Sequence, residues 1–365
     1  MQPLMQRALT LAQQGLTLTS PNPRVGCVIV AADGTLLGEG HTQRAGQAHA
    51  EVMALRDAAT RGNVVTGATV YVTLEPCAHH GRTGPCCDAL IAAGVKKVIA
   101  SIADPNPLVA GQGFARLRAA GIEVEVGPGA VESRELNIGF FSRMLRQRPW
   151  VRLKVAASLD GRTALDNGNS QWITSDAARV DGHAWRARAC TILTGIGTVL
   201  RDRPRLDARL VETQRQPAIA IVDSALQTPP DAPLFIAARA CTIYAAEQND
   251  LRQAALQARG ASVVYLPDGH GQVDLNAVLA DLAQRQTNEL HVEAGARLNG
   301  ALAQANLVDE YLVYLAPMII GMGRAMAQFG PLTELAQAQR LDFTSCERLG
   351  ADLRVLARTH GSVGF

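Results

Sequence analysis

The sequence predicts an α/β protein made of two consecutive domains. Short apolar runs typical of strands alternate with segments of helical apolar spacing along the 365 residues, and this alternation indicates mostly parallel sheets covered by helices on both faces. A chain of this length corresponds to about two domains. The charged stretch 146–149 ends in proline, and a new strand begins directly after it. We therefore expect one domain over residues 1–146 and a second over residues 147–365.

The composition argues against several classes of protein. Apolar residues make up 47% of the chain and charged residues 19%, so each domain can bury an ordinary core. A net charge of +2, the lack of a basic run and an aromatic content of 4% argue against a nucleic-acid partner. We find no apolar run of membrane-spanning length and no leader pattern at the start. Seven cysteines, an odd number, do not suggest a disulfide framework, so we expect a cytoplasmic protein.

The elements of the first half follow from apolar spacing and from the residues that end each segment. Apolar residues at helical spacing predict helices, short apolar runs predict buried strands, and Asp33-Gly34 is a hairpin-turn pair. In order, we expect helix 4–14, strand 25–30, a second strand after the turn, helix 48–61, strand 69–74, helix 86–93, strand 97–101, helix 113–120, strand 122–126 and a linking helix 131–146.

The second half repeats the alternation. In order, we expect strand 150–157, helix 176–189, strand 191–194, a turn at 195–198, strand 218–222, strands near 233–237 and 241–245, helix 251–258, strand 262–266, helix 275–285, strand 289–293, a helix after 294–296 and strand 311–315. Two of these strands run into glycine-containing turns before helical segments, which can present backbone N–H groups to an anion. Neither turn is a dinucleotide-binding glycine motif, so the residues alone leave phosphate binding and simple turns both open.

The segment from His49 to Cys87 carries the strongest chemical signal. It contains His49, then Cys77 after an apolar run, then the adjacent pair Cys86 and Cys87. A histidine and two thiolates suit zinc, with the fourth tetrahedral position left to water. Such a zinc is catalytic rather than structural.

Glu51 gives this zinc site its second component. Zinc lowers the pKa of a bound water from about 15.7 to about 7, but release of ammonia also requires a proton to move from that water to the leaving nitrogen. His49 and Glu51 are about 200° apart on a helix, so we expect His49 in a frayed first turn from which both can converge on a ligand. Histidine-x-glutamate followed by proline-cysteine is typical of zinc deaminases, in which the glutamate is the acid/base.

Two alternatives stay open on the residues alone. A structural zinc could take Cys87 or His79 as a fourth ligand, although Glu51 would then have no purpose. The loop 78–85, longer than in the short nucleoside-deaminase form, contains His79, His80 and Arg82 and suits a substrate that carries a phosphate. Asn22, in a proline-flanked loop, could bond a ring edge or simply form a turn.

Specific motifs along nearly the whole chain indicate a known family. They are Pro21-Asn22-Pro23 with Val25-Gly26-Cys27-Val28, His49-Ala50-Glu51-Val52, Thr73-Leu74-Glu75-Pro76-Cys77 through His79-His80-Gly81-Arg82-Thr83 to Pro85-Cys86, Asp104-Pro105-Asn106-Pro107, Ser158-Leu159-Asp160-Gly161-Arg162-Thr163, Ser170-Gln171-Trp172-Ile173-Thr174 and Val292-Glu293-Ala294-Gly295. The chain resembles the bifunctional deaminase/reductase family of riboflavin biosynthesis. The resemblance implies a cytidine-deaminase-like three-layer α/β/α domain followed by a dihydrofolate-reductase-like α/β domain.

For the first domain, the resemblance implies zinc-dependent hydrolytic deamination of a diaminopyrimidine that carries a phosphoribosylamino group. The zinc ligands would be His49, Cys77 and Cys86, with Glu51 as the proton shuttle and Cys87 as a helix core residue. Asn22, His79 and Asn106 would line the base, and Arg82 would meet the phosphate.

For the second domain, the resemblance implies reduction of the ribosyl group to ribityl by NADPH. The cofactor contacts would be Ala156, Trp172, Thr198, Asp202, Ser224, Gly295, Ala296, Arg297, Leu298, Asn299, Gly300 and Ala301. The sugar phosphate would contact Ser170, Arg186, Leu206, Arg209 and Glu293, with Lys154 near the reacting sugar. We also expect a homo-oligomer, a dimer or a tetramer.

Two positions depart from the family pattern, and three rival functions remain. Gly84 stands where a second proline is usual, and Arg203 replaces the usual acidic or amide residue, which weakens the reductase assignment there. The rivals are a deaminase whose reductase half only binds or stabilises, a zinc-stabilised binding module without catalysis, and a nucleic-acid deaminase, which the charge disfavours.

Overall fold

The structure is a computed structural model that describes residues 2–79, 84–107, 109–236 and 239–364. The chain divides into two compact units, Met1–Arg146 and Gln147–Phe365. Within the described residues, no helix is both long and apolar enough to cross a membrane.

The first unit contains a five-stranded sheet. Its elements are α1 (Pro3–Gln13), β1 (Gly26–Val30), β2 (Leu36–His41), α2 (Ala50–Thr60), β3 (Thr69–Val72), α3 (Cys86–Ala92), β4 (Lys97–Ala100), α4 (Gln112–Ala119), β5 (Glu123–Val126), α5 (Ala130–Leu136) and α6 (Ile138–Arg146). The strand order is β2-β1-β3-β4-β5. β1 is antiparallel to both of its neighbours, whereas β3, β4 and β5 are parallel. The sheet is therefore mixed rather than mostly parallel.

Close packing of α2 on β2 fixes the helix that carries Glu51. A Cβ added at Gly38 in β2 would lie only 2.3 Å from the Ala54 carbonyl oxygen, so glycine is needed for this approach. Ala54 and Ala58 on the facing side of α2 are fully buried or nearly so. The start of α2, where the chemistry lies, is thereby held against the sheet.

The second unit contains a nine-stranded sheet and a two-stranded ribbon. Its elements are β6 (Trp150–Ser158), β7 (Arg162–Leu165), α7 (Asp176–Arg188), β8 (Thr191–Gly195), α8 (Ile196–Asp202), β9 (Ala218–Val222), β10 (Cys241–Ala245), α9 (Asp250–Gln257), β11 (Ala261–Tyr265), α10 (Leu275–Gln284), β12 (Glu289–Val292), α11 (Ala296–Gln304), β13 (Glu310–Ala316), β14 (Gly323–Ala325), a 3₁₀ turn (Leu335–Gln337), β15 (Leu341–Leu349) and β16 (Asp352–Thr359). The large sheet has the order β11-β10-β9-β8-β12-β6-β13-β16-β15, and β7 pairs with β14. Only the β13-β16-β15 end is antiparallel.

A buried ion-pair network joins three adjacent strands of this sheet, β12, β6 and β13. Arg152 on β6 donates to Glu289 on β12 at 3.0 Å and to Glu310 on β13 at 2.5 Å, and its guanidinium carbon lies 4.3 Å from the ring centre of Trp185. All three charged side chains are almost completely buried. The network therefore sets the register of the strands whose ends carry the site residues.

Several elements differ from the sequence-based expectation. The linking helix expected over 131–146 is two helices, because Asn137 leaves helical geometry and its side chain bonds both backbone groups of Arg24. Of the strand expected near 233–237, residues 233 and 234 form a turn, 235 and 236 have no regular structure, and 237 lies outside the described residues; Leu234 belongs to the core. The turn expected at 195–198 is the start of α8. β7, β14, β15 and β16 were not expected; β15 is mostly exposed and lacks the apolar pattern of a buried strand.

Candidate active sites

The first unit brings one imidazole and two thiols together. The ligand atoms of His49, Cys77 and Cys86 all lie within 4.8 Å of one another. The His49 Nδ1 atom is 3.7 Å from the Cys77 sulfur and 3.3 Å from the Cys86 sulfur. Three such ligands at these separations fit zinc, whose bonds to nitrogen and sulfur are about 2.0–2.3 Å long.

Three local features of the fold position the side chains of these ligands. His49 is the N-cap residue of α2, in extended geometry with φ −78° and ψ 169°, so its side chain can turn past the helix end. Cys77 lies in the loop after β3, and Cys86 is the first residue of α3. The Cys86 backbone N–H donates to the Cys77 sulfur at 3.3 Å, which ties the two thiols together.

The electrostatics of this cluster suit a metal and a proton carrier. Hydrogen bonding to Cys86 and to His49, working against burial, lowers the pKa of Cys77 to about 4, so its sulfur is a thiolate. Glu51 is 3% exposed in the first turn of α2. Burial, followed by the negative charge of Cys77, raises the pKa of Glu51 to about 7, the range in which a carboxyl group can both accept and release a proton.

Cys87 has a different role from Cys86. Its thiol donates to the Pro76 carbonyl oxygen at 3.2 Å and to the Gly113 carbonyl oxygen at 3.5 Å, and burial raises its pKa to about 12. It therefore remains a protonated, hydrogen-bonded thiol. Among the described residues, it does not join the metal-ligand group.

The expected base-lining residues lie on three separate loops. Asn22 closes a turn through its backbone, since its N–H donates to the Thr19 carbonyl oxygen at 2.9 Å; this turn does not involve the Asn22 side chain. His79 is exposed in the loop after β3, and Asn106 is half-buried in the loop after β4. Arg82 lies outside the described residues.

The second unit contains a cavity of about 1970 Å³. A single ligand pocket usually has about 300–1,000 Å³, so this cavity has room for a cofactor and a substrate together. All of the expected reductase residues except Gly300 line it. They come mainly from the ends of β6, β8, β9 and β12, from α7, α8 and α11, and from the loops between them.

Gly300 lies behind the cavity wall. A Cβ added there would lie 1.8 Å from the Gln328 carbonyl oxygen, so Gly300 lets the segment 326–329 pack directly on α11. The neighbouring Asn299 side chain donates to the Met326 carbonyl oxygen at 2.8 Å. Because Met326 and Gln328 line the cavity, these contacts build one of its walls.

Charged side chains converge on one side of the cavity. Arg186 donates to both carboxylate oxygens of Glu293, at 2.5 and 2.8 Å, and Lys154 Nζ lies 3.8 Å from the same carboxylate. Although burial opposes ionisation, these two positive charges hold the pKa of Glu293 well below its usual range. Burial lowers the pKa of Lys154.

His183 is a cavity residue that sequence reasoning missed, and it acts together with the expected residue Arg186. His183 accepts the backbone N–H of Arg209 through Nδ1 at 3.1 Å, and Arg186 donates to the Asp207 carbonyl oxygen at 3.1 Å. Together they hold the segment that carries Leu206 and Arg209. One signal was present in the sequence: His183 and Arg186 are three positions apart and so share a helix face.

Comparison with known proteins gives matches along nearly the whole chain. The family model described as the RibD C-terminal domain matches residues 149–355. The cytidine and deoxycytidylate deaminase zinc-binding region matches residues 1–102. The riboflavin biosynthesis protein RibD of Escherichia coli strain K12 is 47% identical over 362 residues, which cover 96% of each chain. The chain belongs to the RibD family.

Solved RibD structures also match nearly the whole chain. RibD of Acinetobacter baumannii is 41% identical, with a TM-score of 0.87 over 97% of each chain. A Thermotoga maritima relative is described as a diaminohydroxyphosphoribosylaminopyrimidine deaminase/5-amino-6-(5-phosphoribosylamino)uracil reductase. It is 32% identical, with a TM-score of 0.85 over 98% of this chain and 97% of that one. The expected fold class is therefore confirmed.

Membership of the RibD family also gives the general activity. The chain is a bifunctional deaminase and reductase of riboflavin biosynthesis, with a zinc-binding deaminase domain and a reductase domain of the NADPH-dependent RibD type. The His49, Cys77 and Cys86 cluster fits the zinc that the family implies. The cavity of the second unit fits a cofactor in volume.

Proposed function

We propose that residues 1–146 deaminate 2,5-diamino-6-(5-phosphoribosylamino)pyrimidin-4-one to 5-amino-6-(5-phosphoribosylamino)uracil, and that residues 147–365 then reduce the ribosyl group to ribityl. The proposal is carried by the convergence of His49, Cys77 and Cys86 beside the buried carboxyl group of Glu51. The Thermotoga maritima relative, which is described by these two activities, supports the choice of substrates.

In the deaminase reaction, His49 Nδ1 and the sulfurs of Cys77 and Cys86 would hold zinc. The metal, when bound, makes a water molecule more acidic and more nucleophilic. Glu51 accepts the proton of the attacking water and delivers it to the leaving amino group. Its raised pKa, about 7, allows both transfers near neutral pH. Asn22, His79, Asn106 and Arg82 are proposed to bind the base and its phosphate.

In the reductase reaction, the cofactor contacts proposed above lie along the cavity wall, apart from Gly300. NADPH, when bound, supplies the hydride for the sugar. Arg186 and Glu293 form a fixed polar surface for the sugar hydroxyl groups, and Lys154 lies beside them. Ser170, Leu206 and Arg209 are proposed to complete the substrate side of the cavity.

A two-part assay tests the proposal. Purified protein is incubated with the diaminopyrimidine phosphate, with and without NADPH, while ammonia and cofactor absorbance are followed. We expect ammonia in both samples and loss of NADPH only after deamination. Glu51→Ala with zinc retained should lower ammonia release about 10²–10⁴-fold. Unchanged release by this variant would show that Glu51 is not the proton carrier. Absence of ammonia release by the unsubstituted protein would leave only a zinc-stabilised module, and absence of NADPH oxidation with the deaminated intermediate would leave a deaminase alone.

We also propose that the chain forms a homo-oligomer through the edge strand β15. Phe343 on this strand is 80% exposed and Leu341 is 39% exposed, and the outer edge of β15 has no strand partner among the described residues. An unpaired sheet edge with exposed apolar side chains is usually covered, and two copies of one edge can pair about a two-fold axis. Phe343→Glu should shift the protein to a smaller species in light scattering, whereas an unchanged mass would reject this interface.

A cytoplasmic location remains part of the proposal. It is supported by the cysteines, since reduced thiols are present at Cys27, Cys77, Cys86, Cys87, Cys241 and Cys346. Two of these thiols belong to the zinc cluster, which requires reduced sulfur. Fractionation of cells that make the protein would test the location.

A further inference from the structure

Glu75 is a buried carboxylate whose two oxygens each collect two backbone N–H groups. It lies two residues before Cys77 and is 3% exposed. One oxygen accepts from Asp104 at 3.1 Å and from Gly111 at 2.9 Å. The other accepts from Gly113 at 2.9 Å and from Phe114 at 3.3 Å. Four donors to one carboxylate stabilise its burial, since an unpaired buried charge is strongly unfavourable.

The four donors flank the loop that carries Asn106. Asp104 precedes Asn106, Gly111 closes the loop, and Gly113 and Phe114 belong to the first turn of α4. Within the loop, the Asp104 side chain accepts from the Asn106 N–H at 2.8 Å. The Asn106 carbonyl oxygen accepts from Val109 and Ala110, at 2.8 and 3.0 Å. Glu75 thus holds both ends of a short, internally bonded turn.

The segment that contains Glu75 is also fixed to α4 by direct packing. A Cβ added at Gly113 would lie 2.0 Å from the Pro76 carbonyl oxygen. The Cys87 thiol donates to that same oxygen and to the Gly113 carbonyl oxygen. Pro76 is the residue before Cys77, so these contacts hold the loop of the metal ligand and the loop of Asn106 together.

We infer that Glu75 is a positioning residue for the deaminase reaction, which fixes the Asn106 loop relative to the metal ligand Cys77. This inference rests on the proposed function, because it takes Asn106 as a contact to the pyrimidine base. The distance between base and reacting centre is then set by the four bonds to Glu75. A displacement of about 1 Å in such a geometry can cost about 10²-fold in rate.

Glu75→Gln tests the inference with little change in shape. The amide keeps one acceptor oxygen but places an NH₂ group against two of the four backbone donors. We expect kcat/KM for ammonia release to fall about 10- to 100-fold, with bound zinc and the NADPH-dependent reaction of the deaminated intermediate unchanged. Asn106→Ala should cause a similar loss, and the double variant should be no worse than Asn106→Ala alone.

Other outcomes separate the inference from its alternatives. Normal deamination by Glu75→Gln overturns it, and so do losses that add fully in the double variant, because Glu75 would then act independently of Asn106. If Glu75→Gln loses zinc, a second variant, Asp104→Ala, is used instead. It loosens the Asn106 turn without changing the segment that carries Cys77. Normal deamination kinetics in Asp104→Ala would reject the inference. If the unsubstituted protein releases no ammonia, the proposed function itself fails.

Discussion

Arg186 and Glu293 form a two-bond ion pair on the wall of the second unit's cavity, with N–O distances of 2.5 and 2.8 Å. Both side chains are mostly buried, at 15% and 12% exposure. A pair held in this way presents a rigid arrangement of donors and acceptors, because the planar guanidinium group matches the two carboxylate oxygens.

Arg186→Lys should lower kcat/KM of the reductase reaction about tenfold or more, because an ammonium group cannot make two parallel bonds to Glu293. The measurement is NADPH oxidation with the deaminated intermediate. Arg285→Lys is the matched control, since Arg285 pairs with Asp281 on the protein surface and is 42% exposed. Equal activity in the two variants would show that the two parallel hydrogen bonds from Arg186 to Glu293 are not needed.

Cys86→Ser and Cys87→Ser should differ sharply although the residues are adjacent. Loss of the Cys86 sulfur removes a ligand from the three-residue cluster, so bound zinc and ammonia release should both fall by at least about 10²-fold. Serine at position 87 can still donate to the Pro76 carbonyl oxygen, so zinc should be retained. Elemental analysis and ammonia release give the readouts, and zinc loss in the Cys87 variant alone would reverse the ligand assignment.

Removal of zinc by a chelator should separate the two activities. The metal ligands all lie in the first unit, whereas the cavity is lined only by residues of the second. Ammonia release should therefore stop, and reduction of the deaminated intermediate should continue. Added zinc should restore deamination. Loss of both reactions after chelation would contradict this assignment of the two sites.

His183 should make the second unit sensitive to acid. Burial, followed by the charges of Arg186 and Arg209, lowers its pKa from 6.5 to about 4, against the opposing charges of Glu293 and Asp207. The unfolded state takes up a proton as the pH falls below about 6.5, but the folded state does so only near pH 4, so acid favours unfolding in this interval. His183→Asn keeps an acceptor for the Arg209 N–H and removes the titration. The unsubstituted protein should therefore lose thermal stability faster than this variant between pH 6.5 and pH 4.

Two buried helical glycines should respond oppositely to alanine. At Gly300 the new methyl group would lie 1.8 Å from the Gln328 carbonyl oxygen, whereas at Gly182 no atom lies within 4 Å. Gly300→Ala should destabilise by about 1–3 kcal/mol and raise the KM for NADPH, because the wall next to α11 must shift. Gly182→Ala should be neutral or stabilising by about 0.5–1 kcal/mol. Denaturant unfolding measures both, and similar values would contradict the close packing on α11.

The zinc cluster could be predicted from the sequence because its chemistry is concentrated in one short segment. One short segment contains a histidine, a glutamate and two cysteines, and this combination at this spacing indicates a zinc deaminase site. The residues are His49, Glu51, Cys77 and Cys86. The strands and helices around them also have clear apolar patterns. The choice between Cys86 and Cys87 was open on the residues alone, since only the direction of each thiol distinguishes them.

Other features depend on contacts between residues that are distant in sequence. The part that Glu75 plays is visible only when Gly111 and Gly113 are seen to donate to it. Gly300 belongs to a glycine-containing turn and helix that suggest phosphate binding, but its missing side chain serves packing against Gln328. The exposed strand β15 has no buried face, so apolar alternation could not predict it.

The order of the strands in the second unit makes the cavity depend on β16, the outer neighbour of β13. β13 lies between β6, whose residues Lys154 and Ala156 line the cavity, and β16. A premature stop codon anywhere between β13 and β16 would leave β13 without its outer neighbour. Changes that remove β16 are therefore expected to impair sugar reduction, although no residue of β16 lines the cavity.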